Sequence, residues 1–295
     1  MREAGFSERT VLRTVDGDDL VIHERPVDGP RAVVLLLHGA GEHARRYSRF
    51  AEELAYAGIA TIAPDQLGHG ETGRAGRGLA ELGPGGNERA RRALVEAADE
   101  ALRRVPGAPV ILFGHSWGSL LGQELLLRRG RRFAGAIFSG TTLAVPGFLN
   151  PGRLNARFDG EAGPEGFTTG LEWLSRDPEA RRAFDEDPDC FDIDEHPVWS
   201  PIQALSLLSL PKPAILPSQS DSPILIVAGS EDPIGYGRRG PEALARAYRR
   251  LGGRSDVTLR IYEGARHEVL NETMRDDAVR DIIGWIAERF PLPAA

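Results

Sequence analysis

The chain has 295 residues, of which 41% are hydrophobic, with a net charge of -7 and one cysteine, Cys190. That length and apolar content suit one large core with a smaller appended part. The acidic balance, with no basic run longer than a few residues, argues against a nucleic-acid partner, and no apolar stretch approaches the roughly 20 residues of a membrane helix.

A single cysteine excludes an intrachain disulfide and fits a reducing compartment, so a cytoplasmic location is expected, with Cys190 read by default as a lone buried thiol. Residues 1–10 carry no apolar h-region, and at most peripheral contact with a membrane is expected. The oligomeric state is left open.

Along the chain, strands and helices alternate. Residues 11–15 and 20–24 read as a hairpin around Asp16-Gly17, followed by a strand at 33–37, a helix over 46–57 and a strand at 59–63. A long amphipathic helix over 87–104 ends before Pro106 and leads into a strand at 110–113, a helix over 120–129 and a strand at 134–139. Between 140 and 222 the alternation stops and Pro, Gly and Asp take over, too long a stretch for an ordinary loop. It reads as a cap with helices over 171–185 and 201–210. The second starts on Ser200-Pro201, an N-cap serine followed by proline. Ile202, Leu205 and Leu208 recur there at helical spacing, a pattern that signals packing. Alternation then resumes with strands at 224–229 and 258–262 and helices over 241–251, proline first, and 273–290. The expected fold is α/β, a mostly parallel central sheet flanked by helices. A helical cap (141–222) is inserted after the sixth strand, between a first core part (1–140) and a second (223–295).

The most informative feature is Gly114-His115-Ser116-Trp117-Gly118, between an apolar strand and a helix. In a chain with 35 glycines the bare pattern arises by accident in loops; the flanking strand and helix make it a sharp turn that exposes a serine hydroxyl as a nucleophile. An acid and then a histidine are expected on later strand ends. Asp232 follows the 224–229 strand; an aspartate before proline also caps turns, and Glu231 is the alternative acid. His267 follows the 258–262 strand, whereas His23, His38, His43, His69 and His115 precede or adjoin the serine and His196 has no strand before it. The donors for a developing oxyanion are expected to be the backbone N–H groups of Trp117 and of Ala40, the latter in His38-Gly39-Ala40-Gly41-Glu42-His43 after the 33–37 strand. Glu42 and His43 are read as bracing that loop.

These residues resemble the α/β-hydrolases, and within them the monoacylglycerol lipase and lysophospholipase family. The resemblance rests on 38–43 with Arg46-Tyr47, on Asp65-Gln66-Leu67-Gly68-His69-Gly70, on the serine turn and on Gly264-Ala265-Arg266-His267-Glu268. Within the cap, Trp173-Leu174-Ser175-Arg176-Asp177 and Asp187-Pro188-Asp189-Cys190 are similar to bacterial members. Thr72 departs from the family's more usual serine, and 82–87 is unusually glycine-rich. The resemblance implies an α/β-hydrolase fold and serine-based cleavage of a small ester or lipid such as a monoacylglycerol or lysophospholipid, with no metal and no cofactor. A peptidase or amidase on the same fold, or a non-catalytic binding protein, are the alternatives. Among Phe148, Phe158, Phe167, Trp173 and Trp199, some are expected to line the acyl cavity, with Phe148, Trp173 and Trp199 chosen as substrate-binding. The cap holds six basic and fourteen acidic side chains, a net of -8 against +1 for the rest. That is foremost a solvated face, and secondarily disfavours anionic headgroups and membranes.

Overall fold

The computed structural model describes residues 5–161, 168–210 and 221–292. Its strands are β1 (Glu8–Arg13), β2 (Asp19–Arg25), β3 (Ala32–Leu37), β4 (Ile59–Pro64), β5 (Val110–His115), β6 (Gly135–Ser139), β7 (Ile224–Gly229) and β8 (Val257–Tyr262). They form one sheet in the order β1-β2-β4-β3-β5-β6-β7-β8. The opening hairpin is antiparallel, β2 joins β4 antiparallel, and every pairing from β4 to β8 is parallel. The parallel strands β3 and β7 are apolar throughout, and β5 is apolar up to Gly114-His115, because both faces are covered. Val33, Leu35, Leu112 and Ile226 pack with helices on one face, while Val34, Leu36, Ile111 and Val227 pack with those on the other.

The helices are α1 (Ser48–Tyr56), α2 (Gly70–Ala75), α3 (Gly86–Arg104), α4 (Trp117–Arg129), α5 (Pro178–Asp185), α6 (Pro201–Ala204), α7 (Arg239–Arg250) and α8 (Arg275–Arg289). α3, α4 and α7 cover the first face through Leu94, Leu121 and Leu244; α1 and α8 cover the second through Phe50, Leu54, Ile282 and Trp285. α2 has no apolar periodicity to announce it. It forms because the buried Asp65 carboxylate accepts from the Glu71 N–H at 2.9 Å, a tertiary cap on its first turn.

Several helix boundaries differ from the sequence reading; α4, for one, starts at Trp117 rather than 120. The helix expected over 171–185 begins only at Pro178, where Asp177 accepts from the Glu179 N–H at 2.9 Å and proline takes the first turn. Residues ahead of it run as turns against the His267 loop instead, with the His267 N–H donating to Trp173 O at 3.3 Å and the Glu268 N–H to Leu174 O at 2.8 Å. The helix expected over 201–210 stops at Ala204 and tightens into a 3-10 turn at Leu205–Leu207. Its start matches expectation, with Ser200 and Gln203 closing a reciprocal capping box. α7 begins two residues before Pro241, so that proline lies inside the first turn rather than at its head.

Within the cap, Leu154, Phe158, Leu171, Trp173, Leu174 and Phe184 form a small core of their own. Ile202 and Leu205 do not pack as their spacing suggests: they are 81% and 63% exposed. The helix is too short to turn all its apolar positions inward.

Candidate active site

Four of the parallel strands end on the same side of the sheet and deliver the loops that matter, where open α/β sheets hold their ligands. β3 leads into residues 38–43, β5 into Ser116, β7 into Asp232 and β8 into His267.

Ser116 sits at φ 50° and ψ -123°, the left-handed half of backbone space that a non-glycine residue enters only at a cost of roughly 1–3 kcal/mol. The flanking glycines make this turn sterically feasible. A Cβ on Gly118 would come to 2.3 Å from the Leu37 and His38 carbonyl oxygens, and one on Gly114 to 2.6 Å from Gly118 O. β5, α4 and the loop after β3 therefore touch backbone to backbone at the serine.

His267 is fully enclosed, and its Nδ1–H donates to Asp232 Oδ2 at 2.9 Å. The other carboxylate oxygen accepts from the Ile234 N–H at 2.9 Å. The turn-capping reading and the imidazole-orienting reading of Asp232 thus hold together: the cap aims the carboxylate. Burial works against charge on His267, but the Asp232 carboxylate outweighs it, and the imidazole pKa lies above its ordinary value. His267 Nε2 is buried with no partner, and it shares a pocket with Ser116. A base oriented from behind, with an unpartnered ring nitrogen on a residue that lines the serine's pocket, can accept a hydroxyl proton. Glu231, the alternative acid, faces Arg157 at 3.6 Å instead.

The loop after β3 is held from several directions. Glu42 Oε1 accepts from the Gly39 N–H at 2.6 Å and from the Tyr47 hydroxyl at 2.8 Å, leaving the Ala40 N–H with no acceptor among the described residues. Arg46 bridges Glu42 (2.7 Å) and Glu268 (2.7 and 2.8 Å), so one buried guanidinium ties this loop to the residue after His267. Burial alone would raise the Glu42 pKa; Arg46 leads the groups that bring it down to about 2. His43 reaches Asp187 of the cap at 3.0 Å. Bracing, rather than chemistry, is what these two residues do here. The 65–70 motif buttresses the same loop: the Gln66 N–H donates to His38 Nε2 at 2.9 Å and the Gln66 side chain to His38 O at 2.6 Å. The Trp117 N–H is one of the open donors at the head of α4.

Replacing Glu42 by Gln keeps an acceptor for Gly39 while stripping one negative charge from Arg46. Breaking a buried ion pair costs on the order of 3 kcal/mol. Glu42→Gln is expected to lower both the melting temperature and kcat, read by thermal denaturation beside an ester assay. Native values for both would show that the bridge is dispensable.

Ser116, Ala40 and Ile193 stand between two cavities. The narrow one, about 10 Å³, takes in His267, His115, Trp173, Leu174, Glu42 and Glu268. The wide one, about 1390 Å³, is lined by Leu120, Leu149, Val198, Trp199, Leu205 and Leu208. Trp199 thus lies where a substrate-binding aromatic is expected, and Trp173 lies in the narrow pocket, its ring 4.9 Å from that of His267. Phe148 lines neither cavity; the Arg239 guanidinium lies 5.1 Å from its ring, and Leu149 is the neighbour that faces the cleft. Phe158 belongs to the cap core, 1% exposed, and Phe167 lies outside the described residues. His43, Asp187 and Cys190 bring one ligand atom each within 4.8 Å, but the first two already bond to each other and burial pushes the Cys190 thiol up, away from the thiolate that a metal binds. Among the described residues, no helix is long and apolar enough to cross a membrane.

Residues 28–274 match the family described as Serine aminopeptidase, S33. The chain belongs to this family. The S33 hydrolase is similar to a monoacylglycerol lipase of Mycolicibacterium smegmatis, 28% identical over 271 residues that cover 90% of this chain and 91% of the relative. It is also similar to the human monoglyceride lipase, 26% identical over 286 residues covering 90% and 85% of the two chains. Its fold is that of the α/β-hydrolases: a thermostable carboxyl esterase from Bacillus coagulans superposes with a TM-score of 0.78 at 23% identity, over 96% of this hydrolase and 98% of the esterase.

Two features of the site were not visible in the sequence. Arg46 carries the ion bridge between the loops, and Asn87 bonds both Trp117 and Trp199. Both act through partners far away in the chain: the Arg46-Tyr47 resemblance marks the position of Arg46 but not its bridge, and no local pattern marks Asn87.

Proposed function

We propose that this hydrolase cleaves the ester of a small neutral acylglycerol, a monoacylglycerol foremost, through an acyl-enzyme on Ser116. The single observation that carries the reading is the His267 imidazole, held by Asp232 at 2.9 Å with Nε2 unpartnered in the pocket of Ser116. His267 Nε2 takes the serine proton as the hydroxyl oxygen attacks the ester carbonyl, and the Ala40 and Trp117 N–H groups receive the oxyanion. His267 then returns its proton to the departing alcohol, and water repeats the sequence on the acyl-enzyme. Every step uses groups of this chain.

The division of the site supports an assignment of the two halves of the substrate. The alcohol must leave beside the imidazole that protonates it, and His267 lines the narrow pocket and not the wide one. The alcohol is therefore assigned to the His267 side of Ser116, and the acyl chain to the wide cleft among Leu149, Val198 and Trp199. Leu205, exposed at the edge of that cleft, and the exposed Ile202 nearby in the chain suit brief contact with a lipid surface, and a cytoplasmic setting agrees with the lone Cys190. The acidic cap opposes anionic headgroups by charge.

The amidase reading draws on the family's description and would need free carboxylates for an amino terminus. Of the carboxylates that line the narrow pocket, those of Glu42 and Glu268 are spent on Arg46, while that of Asp192 accepts only from the Asp194 N–H among the described residues, so charge alone does not decide. A panel of monoacylglycerols, lysophospholipids, nitrophenyl esters and aminoacyl amides decides between them. Monoacylglycerol is expected to exceed an anionic lysophospholipid by about tenfold in kcat/KM, the scale of one unfavourable charge contact. Faster turnover of aminoacyl amides than of any ester would replace this reading.

A further inference from the structure

We propose that Asn87 is a positioning residue that couples the acyl-side wall of the cap to the oxyanion end of α4. The proposal rests on the acyl-enzyme reading above and adds to it a residue outside the reacting groups.

Asn87 lies in the first turn of α3 and is 2% exposed. An asparagine amide offers two donor hydrogens and an oxygen with two lone pairs. Here all four are used, and the partners come from two different parts of the molecule. The oxygen accepts from the indole N–H of Trp117 at 3.2 Å and from that of Trp199 at 2.6 Å. The nitrogen donates to Gln203 O at 3.2 Å and to Ser206 Oγ at 2.9 Å. Indole N–H groups only donate, so the amide has one orientation that satisfies its surroundings.

Each partner has a position that matters. Trp117 follows Ser116 and supplies the backbone N–H assigned to the oxyanion. Its ring is also pinned, 5.1 Å from His69 on one side and edge-on to Trp199 at 5.6 Å on the other. Trp199 and Gln203 line the wide cleft, and Gln203 closes the capping box that starts α6. Arg91, one turn along α3, donates to the Ser206 carbonyl and strengthens the same attachment. A single buried amide thus holds the wall that meets the acyl chain and the tryptophan whose main chain meets the oxyanion. Burying that amide costs energy unless all its bonds are kept, so the cap wall and Trp117 are held as one unit. An acyl chain long enough to press on Trp199 is read by the turn at Ser116; a two-carbon acyl group is not.

The test compares dodecanoate and acetate nitrophenyl esters in native protein, Asn87→Ala and Trp199→Phe. Rates are expressed per active site titrated with a fluorophosphonate, so that misfolded protein does not count. Asn87→Ala leaves both indole N–H groups unpaired. It is expected to lower kcat on the acetate ester about tenfold, less than loss of an oxyanion donor outright, and to lower the dodecanoate-to-acetate ratio of kcat/KM at least fivefold. Trp199→Phe keeps an aromatic ring in the cleft wall, though a smaller one, and drops one bond to Asn87; it is expected to lower the same ratio. A purely structural role would reduce the titre and the melting temperature and leave kcat per site and the ratio alone. That result, in Asn87→Ala or, if that variant yields no titratable protein, in Trp199→Phe, overturns the proposal. Absence of labelling and hydrolysis in the native protein would sink the acyl-enzyme reading itself, so the two failures are distinct.

Discussion

Ser116→Ala is expected to fold as the native protein does and to lose ester hydrolysis on the order of 10⁶-fold, the scale seen when a nucleophile that works as a unit with its base is removed. Folding should survive because Ser116 contributes its backbone, not its hydroxyl, to the structure. The Ser116 N–H donates to Ser139 O at 3.0 Å, and its carbonyl accepts from the Ser119 and Leu120 N–H groups at 2.9 and 3.1 Å. Alanine preserves all of these at the same strained φ. What disappears is the hydroxyl oxygen proposed to form the acyl bond. Fluorophosphonate labelling, present in the native chain and gone in Ser116→Ala, reads the loss directly, with a melting curve beside it. Full activity in this variant would refute the nucleophile, and no labelling of the native chain would favour a binding protein on the same fold.

Asp232→Asn should cost about 10⁴ in kcat, because an amide in place of the carboxylate no longer fixes the imidazole tautomer that leaves Nε2 free. It carries a second, independent signature in pH. The proposed mechanism needs neutral His267, so kcat/KM is expected to rise with pH through the pKa of that imidazole. In the native protein burial favours the neutral form, yet Asp232 wins and raises the pKa above 6.5. Removing the carboxylate leaves burial as the leading influence, and the acid limb moves to lower pH. His115, whose ring lies 4.7 Å from His267, does not replace the lost effect: burial, then its charged neighbour, hold its own pKa at about 4. A pH–rate profile of Asp232→Asn that keeps the native acid limb would mean that Asp232 does not set the His267 titration.

The placement of Ser116, Asp232 and His267 at one sheet edge was more legible in the sequence than the segment 141–222. Ser116, Asp232 and His267 each follow an apolar run that is buried on both faces of a parallel sheet, and such runs end in one place. Strand order and spacing thus carried them to a common edge. The glycines at 114 and 118 were readable for the same local reason, since a turn that tight leaves no room for a Cβ. The cap was read less well. Leu171 to Ser175 carries no helix because its backbone bonds go to the His267 loop, and Phe148 was misassigned because the cation over its ring comes from Arg239 in a later helix.

By itself, the order of residues determined the alternation of strands and helices, the strained turn at Ser116 and the chain order of serine, acid and histidine, since all of these follow from backbone sterics and apolar periodicity within a few residues. Only the tertiary structure decided that Arg46 joins Glu42 to Glu268, that Asp232 both caps its turn and orients His267, and that Asn87 holds Trp117 and Trp199 together. Hydrogen bonds and ion pairs of this kind form between groups far apart in the chain. Their strength comes from burial that no local stretch of sequence records.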